Sequence, residues 1–178
     1  MKSVEQGGVV NFNELRADKL IEYIIDTHHS YIKKALSRFN VHSKTILKVD
    51  LMIHPEVSLI NQLTQELKEL LEQHLNFEKY ILFPYIKKLI ENTKESSNHL
   101  LDNPIKKIRS EHLKIAALLK QIRALSNNYT PSVNSSHALK LCYAQLFDLE
   151  QDIHKHAFLA ENVLFSKLSD LEKRKIND

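Results

Sequence analysis

Apolar positions recur at steps of three and four through four long stretches of this chain, with polar punctuation between them. The first stretch starts near Asp18 and runs into the forties, with Leu20, Ile21, Ile24, Ile25 and Ile32 on one side. Pro55 disfavours helix at His54, so the segment Val49 to Pro55 is expected to break the run. A second helix is predicted from about Glu56 to about Asn92, kinked or short of a hydrogen bond at Pro84. Its stripe is Ile60, Leu63, Leu67, Leu71, His74, Glu78 and Ile81. Glu95 to Asn103 reads as a polar linker, and Asn103-Pro104 as an N-cap with proline at the first helical position. The third helix carries Ile105, Ile108, His112, Ile115, Leu119 and Ile122 and ends near Ser126. After a loop from Asn127 to Ser136, the fourth runs to about Leu168 with Leu139, Cys142, Leu146, Leu149, Ile153, His156, Ala160 and Val163 on its stripe. The predicted fold is all-α, an antiparallel up-down-up-down four-helix bundle over residues 17–170. Residues 1–16 read as a flexible lead and 171–178 as a C-terminal tail.

Composition agrees with this reading. The chain has 178 residues, enough for one domain with a substantial core, and only 2 Gly and 4 Pro to make turns. The net charge is +3 and the basic residues are scattered, which points away from nucleic acid and membrane as partners. The run Lys173-Arg174-Lys175 suits a solvated helix end. No signal-peptide core and no stretch of 18 apolar residues is present, so a soluble cytoplasmic protein is expected. Cys142, the single cysteine, lies among leucines and reads as a buried structural thiol; disulfide frameworks and cysteine metal sites are excluded.

Ten histidines change the picture. His74, His112 and His156 each take an apolar-stripe position, and His28 or His29 does the same in the first helix. A buried imidazole costs free energy unless it is paired. One such histidine is ordinarily satisfied by a nearby carbonyl or carboxylate. Four, one per helix, with a buried Glu78, converge on one point in a bundle, and a metal there would accept their lone pairs. The halves also repeat. The run from His74 to Phe83 lines up with that from His156 to Phe165 at an offset of 82, and His29 lines up with His112 at 83. Each half thus offers a histidine from its first helix and a histidine with a following carboxylate from its second. Imidazole plus carboxylate suits iron, manganese or zinc, and two half-sites suit a dinuclear centre.

Asp26-Thr27-His28-His29, His74-x-x-x-Glu78 with Ile81-Leu82-Phe83-Pro84, Ser110-Glu111-His112, and His156 followed by Glu161-Asn162-Val163-Leu164-Phe165 together resemble the hemerythrin-like (HHE cation-binding) family. Within it the chain is most similar to the di-iron Repair of Iron Centres proteins, over about residues 17–168. The resemblance implies a hemerythrin-like bundle holding two non-haem iron ions, oxo- or hydroxo-bridged. It implies His29, His74, Glu78, His112 and His156 as ligands, with Glu78 bridging. It further implies a role in nitrosative and oxidative stress and in iron–sulfur cluster repair, with O2, NO or an oxygen-derived species as small ligand and damaged iron–sulfur proteins as partners.

Two departures qualify the match. Repair-type members usually carry an N-terminal domain with paired cysteines, for which this chain has no room, so a hemerythrin-only member is expected. The slot of the second bridging carboxylate holds Ala160. Glu161 stands five residues after His156, points about 140° away from it on a regular helix, and matches Lys79 in the first half, a solvent position or one behind the ligands. Either Ala160 is natural, with water, an anion or a shifted Glu161 filling the gap, or it replaces a native glutamate, the reading that the otherwise intact set favours. No bulge is expected at Ala160, because the seam continues through it.

The other polar positions are weighed against blander roles. Glu111 either supports the site or sits on a solvated face, Asp152 is more readily a surface carboxylate than a partner for His156, and His28 and His154 are expected outside the ligand set. His42, His99 and His137 read as solvated; Tyr23 and Tyr80 either approach the metals or simply pack; Phe83 and Phe165 read as core. No nucleophilic triad, phosphate loop or paired acid/base carboxylates is evident. Three functions stay open: a stress-response di-iron protein, an O2/NO-binding sensor or carrier without turnover, and a metal-free helical interaction protein.

Overall fold

A computed structural model describes residues 11–91 and 102–169, apart from the side chains of 40–45 and Asp102. The lead before residue 11, most of the expected linker with His99, the C-terminal tail and the side chain of His42 lie outside the described residues. Among the described residues the structure is all-helical. The elements are α1 (Ala17–Tyr23), π1 (Ile24–His29), α2 (Ser30–Val49), α3 (Glu56–Phe77), π2 (Glu78–Leu82), α4 (Phe83–Glu91), α5 (Asp102–Leu125), α6 (His137–Phe158) and π3 (Leu159–Leu164). The expected break before Pro55 is present, with α2 ending at Val49 and α3 starting at Glu56. Asn103-Pro104 falls inside the first turn of α5 rather than at its cap, since that helix starts at Asp102.

The π segments are the main local surprise. In each, the backbone bonds reach one residue further than in an α-helix, so an extra residue enters the turn and the side-chain phase slips. In π2 the amide of Phe83 donates to the carbonyl of Glu78, five residues back, just before Pro84, which has no amide to donate. The slip moves the seam from Ile81 to Leu82. Ile81, expected on the stripe, is 55% exposed, and Leu82 is 1% exposed. π3 overturns the expectation of an undisturbed helix through Ala160.

The elements pack α2 against α6, α3 against α5 and α2 against α3, with π1 beside α6 and α1 beside α4. Two apolar clusters result. One gathers Ile32, Leu36, Leu67, Leu71, Ile115, Leu119, Leu146 and Ile153 among others. The second gathers Leu20, Ile24, Leu82, Phe83, Ile108, Leu159, Val163 and Leu164. Between them, helix by helix, stand His28 and His29, Glu78, His112 and His156, so a polar layer divides the core. Phe83 and Phe165 are buried, as expected. Cys142 is buried and unpaired, and burial pushes its thiol up to about 12, so it packs as a small apolar group.

The end remote from the polar layer is tied by a cap. Ser136 caps α6, its hydroxyl oxygen accepting from the amide of Leu139, and Asp50 at the end of α2 accepts from both the Ser136 amide (2.9 Å) and hydroxyl (2.7 Å). Asp50 is buried, so its loss strands two donors. Asp50→Ala is therefore expected to lower unfolding free energy by about 2 kcal/mol. The measurement is a urea titration. Metal content per folded chain should not change, because α2 separates Asp50 from His29 by about 30 Å of helix.

Candidate metal centre

Each predicted ligand is delivered by its own element, and the atoms converge. His29 Nε2 and His156 Nε2 each lie 3.0 Å from Glu78 Oε2 and 3.2 Å from one another. Donors about 2.1 Å from one ion stand about 3.0 Å apart at adjacent corners of an octahedron. The three separations match one face of such a polyhedron, and two histidines with one carboxylate on a face is a donor set suited to non-haem iron. His74 Nε2 lies 3.6 Å from the same carboxylate oxygen. The nitrogens of His74, His112 and His156 form a second group, all mutually within 4.8 Å. Burial is nearly complete: His29, His74, Glu78 and His156 are all at 2% exposure or less.

Carboxylates behind the rings decide which nitrogen faces inward. Glu111 Oε2 lies 2.9 Å from His74 Nδ1, and Glu161 Oε1 lies 2.8 Å from His112 Nδ1. Each carboxylate accepts from an Nδ1–H, which leaves the Nε2 lone pair of its histidine directed at the centre. Those Nε2 atoms are buried without a protein partner, as are Glu78 Oε1 and His29 Nδ1. Orphaned buried acceptors are costly in a folded protein. Three of them, His74 Nε2, His112 Nε2 and Glu78 Oε1, belong to residues that converge here, the signature expected of a cation site, and the residues present fit one.

The remaining polar residues sort by geometry. His28 is buried but turned away, its Nδ1 donating to Asp152 at 2.9 Å. Asp152 therefore supports His28 rather than His156, contrary to the expected surface role. Glu111 is also not on a solvated face; it is buried and pairs with Lys107 as well as His74. Tyr80 is 66% exposed and far from the role considered for it, whereas Tyr23 sits edge-on to His28 with ring centroids 5.7 Å apart. His137 is exposed, as expected, and His154 is exposed as well. Glu161, considered as a substitute ligand or a residue behind the ligands, supports His112, a pairing that a regular helix does not predict because there Glu161 faces outward. The extra residue of π3 turns it back far enough to reach the ring from behind, with Arg109 Nε donating to its other oxygen at 3.1 Å. Ala160 itself is fully buried in the second apolar cluster.

Burial alone would raise the Glu78 carboxyl, but the facing His156 and His74, with hydrogen bonds from His156 and His29, hold it well below the usual carboxylate range. Burial pushes His29 and His112 down, against the pull of Glu78 on the first and Glu161 on the second. Burial raises Glu111, and the His74 and Lys107 hydrogen bonds more than reverse it.

These shifts fix a direction for the metal-free protein. The unfolded chain takes up protons at His29 and His112 before the folded one does, so stability falls as pH drops through about 6.5. The contribution of Glu78 is present above its unfolded value and is lost only at lower pH, as pH falls through its depressed folded value. Metal-free protein is expected to show a lower urea midpoint at pH 5.5 than at pH 7.5, with a smaller difference in His112→Gln. A midpoint that rises on acidification would contradict the assignment.

Comparison with known proteins bears on what such a site is. The iron-sulfur cluster repair protein ScdA of Staphylococcus haemolyticus is 27% identical over 162 residues, covering 91% of this chain and 72% of that protein. ScdA of Staphylococcus epidermidis is 24% identical over 167 residues, 94% of this chain and 73% of its own length. The iron-sulfur cluster repair protein YtfE of Escherichia coli is 29% identical over 151 residues, 84% of this chain and 64% of its own. The sequence pattern of the hemerythrin HHE cation binding domain matches residues 20–170. The chain belongs to the hemerythrin HHE cation binding domain family.

Proposed function

We propose that this chain is a non-haem di-iron protein that acts in iron–sulfur cluster repair during nitrosative and oxidative stress, handling NO, O2 or iron at the histidine layer. The observation that carries the reading is the set of buried, unpartnered acceptors, His74 Nε2, His112 Nε2 and Glu78 Oε1, beside the His29–Glu78–His156 contacts. Glu78 turns Oε2 to His29 and His156 and leaves Oε1 buried and unpartnered, which supports a bridging role. The proposed ligands are His29, His74, Glu78, His112 and His156. The packing of α2 on α6, α3 on α5 and α2 on α3 supports an up-down-up-down four-helix arrangement around them. The likeness to iron-sulfur cluster repair proteins supports cluster repair, with damaged iron–sulfur proteins as partners. The unpaired thiol of Cys142 fits a reducing compartment, in keeping with the cytoplasm. Among the described residues no helix is long and apolar enough to cross a membrane.

Bound iron would supply redox equivalents and open coordination positions for small ligands. The chain's own residues do the rest. Glu111 and Glu161 hold His74 and His112 in the productive tautomer. The apolar clusters above and below keep bulk water out. The five proposed ligands cannot saturate two six-coordinate ions, and with Ala160 in the seam the set carries one formal negative charge from Glu78. Glu161 is engaged by His112 and Arg109 and does not stand in for the carboxylate that Ala160 lacks, so the second ion would be the weaker of the two.

Iron reconstitution followed by metal analysis and an optical spectrum tests the reading. About two irons per chain with oxo-bridge charge-transfer absorption are expected, and Glu78→Ala should retain less than half of that iron. Ala160→Glu should tighten the weaker ion by about tenfold or more, since it restores both a donor and a charge. Reactivation of a nitric-oxide-damaged iron–sulfur enzyme separates repair from simple gas binding. A reconstituted protein without stoichiometric iron would leave the metal-free interaction reading standing.

A further inference from the structure

Beside the histidine layer, where π1 and the end of α6 meet the residues before α1, lies a cavity of about 330 Å³. That size is within the range of small-molecule sites. Its walls are Phe12, Tyr23, Phe158 and Leu159, and its inner end is the ring of His28. Phe158 is left 58% exposed, an aromatic face in water that an occupant would cover. The mouth carries Gln151, His154 and Lys155 and no carboxylate. The rings form a continuous series from the cavity inward. Phe12 and Tyr23 have centroids 5.0 Å apart, Tyr23 and His28 5.7 Å, and His28 and His156 6.3 Å. His28 is locked in this series by its hydrogen bond to Asp152.

We propose that this cavity binds a planar aromatic anion of two or three fused rings. Flat aromatic walls favour a flat π-system over a branched aliphatic one, because ring faces and edges make complementary contacts with it. The Lys155 ammonium at the mouth, with the Gln151 amide, meets an anionic substituent left at the solvent edge. The bound ring lies one imidazole away from His156, the residue shared by both groups of candidate ligands. Binding itself needs no metal, so the site stands or falls separately from the di-iron reading.

The test uses the metal-free full-length chain. It is titrated with flavin mononucleotide by flavin fluorescence and with 1,4-naphthoquinone-2-sulfonate by calorimetry. One-to-one binding is expected, with Kd on the order of 10–100 μM. Phe158→Ala should weaken both probes about tenfold or more. Lys155→Ala should weaken flavin mononucleotide about fivefold and leave riboflavin, which lacks the phosphate, unchanged. Both side chains are exposed, so the variants are expected to melt like the parent. Absence of saturable binding by both probes up to about 1 mM overturns the proposal. So does binding that neither variant changes, which would put the probe elsewhere, and riboflavin binding as tight as that of the nucleotide would remove the anionic requirement.

Discussion

The structure depends on one costly arrangement: a carboxylate and three imidazoles buried together among apolar helices, with a fourth imidazole, His112, at the edge of burial. Glu78 is fully buried, and a lone carboxylate there would be driven towards its neutral form. It stays ionised because His156, His74 and His29 face it from three other elements. The histidines in turn are not free. Two have carboxylates behind them, so their inward nitrogens carry lone pairs with nothing in the protein to meet them. A layer built this way presents the donors that a cation would meet. The apolar clusters on either side supply the stability that lets the fold carry it.

The π segments are how the backbone serves that layer. His29 ends π1, Glu78 opens π2, and π3 follows His156 within three residues. A wider turn costs backbone hydrogen-bond geometry and is retained where it re-aims side chains at a site. At π2 the lack of an amide on Pro84 lowers that cost, because one α-helical bond is already forfeit. At π3 the same device brings Glu161 onto His112, so a residue one place out of register acquires a supporting role. α5, which carries His112, has no such segment. The two halves of the chain thus share a π turn after the second histidine, at Glu78 and at Ala160, and differ in the first helix, where π1 has no counterpart in α5.

What the sequence by itself determined is the set of helices and the identity of the buried polar residues. Periodicity at steps of three and four, with Pro55 and the loop around Pro131 as punctuation, located the main helical stretches to within a few residues. The placement of His74, Glu78, His112 and His156 on apolar stripes was legible because burial of a side chain is written in its spacing from neighbours. The family followed from the same residues and agrees with the domain match over 20–170.

What only the tertiary structure decided is orientation. Counting at 100° per residue assumes one helix geometry throughout, and that assumption fails in the π turns. Hence Ile81 was expected inside and is outside, and Glu161 was expected outside and reaches His112. The pairing of Asp152 with His28 depends on which element stands opposite, a relation between residues 124 positions apart that no local pattern encodes. Sequence spacing states which residues are buried. The packing of separate helices, and the turns that adjust it, state which of their atoms meet.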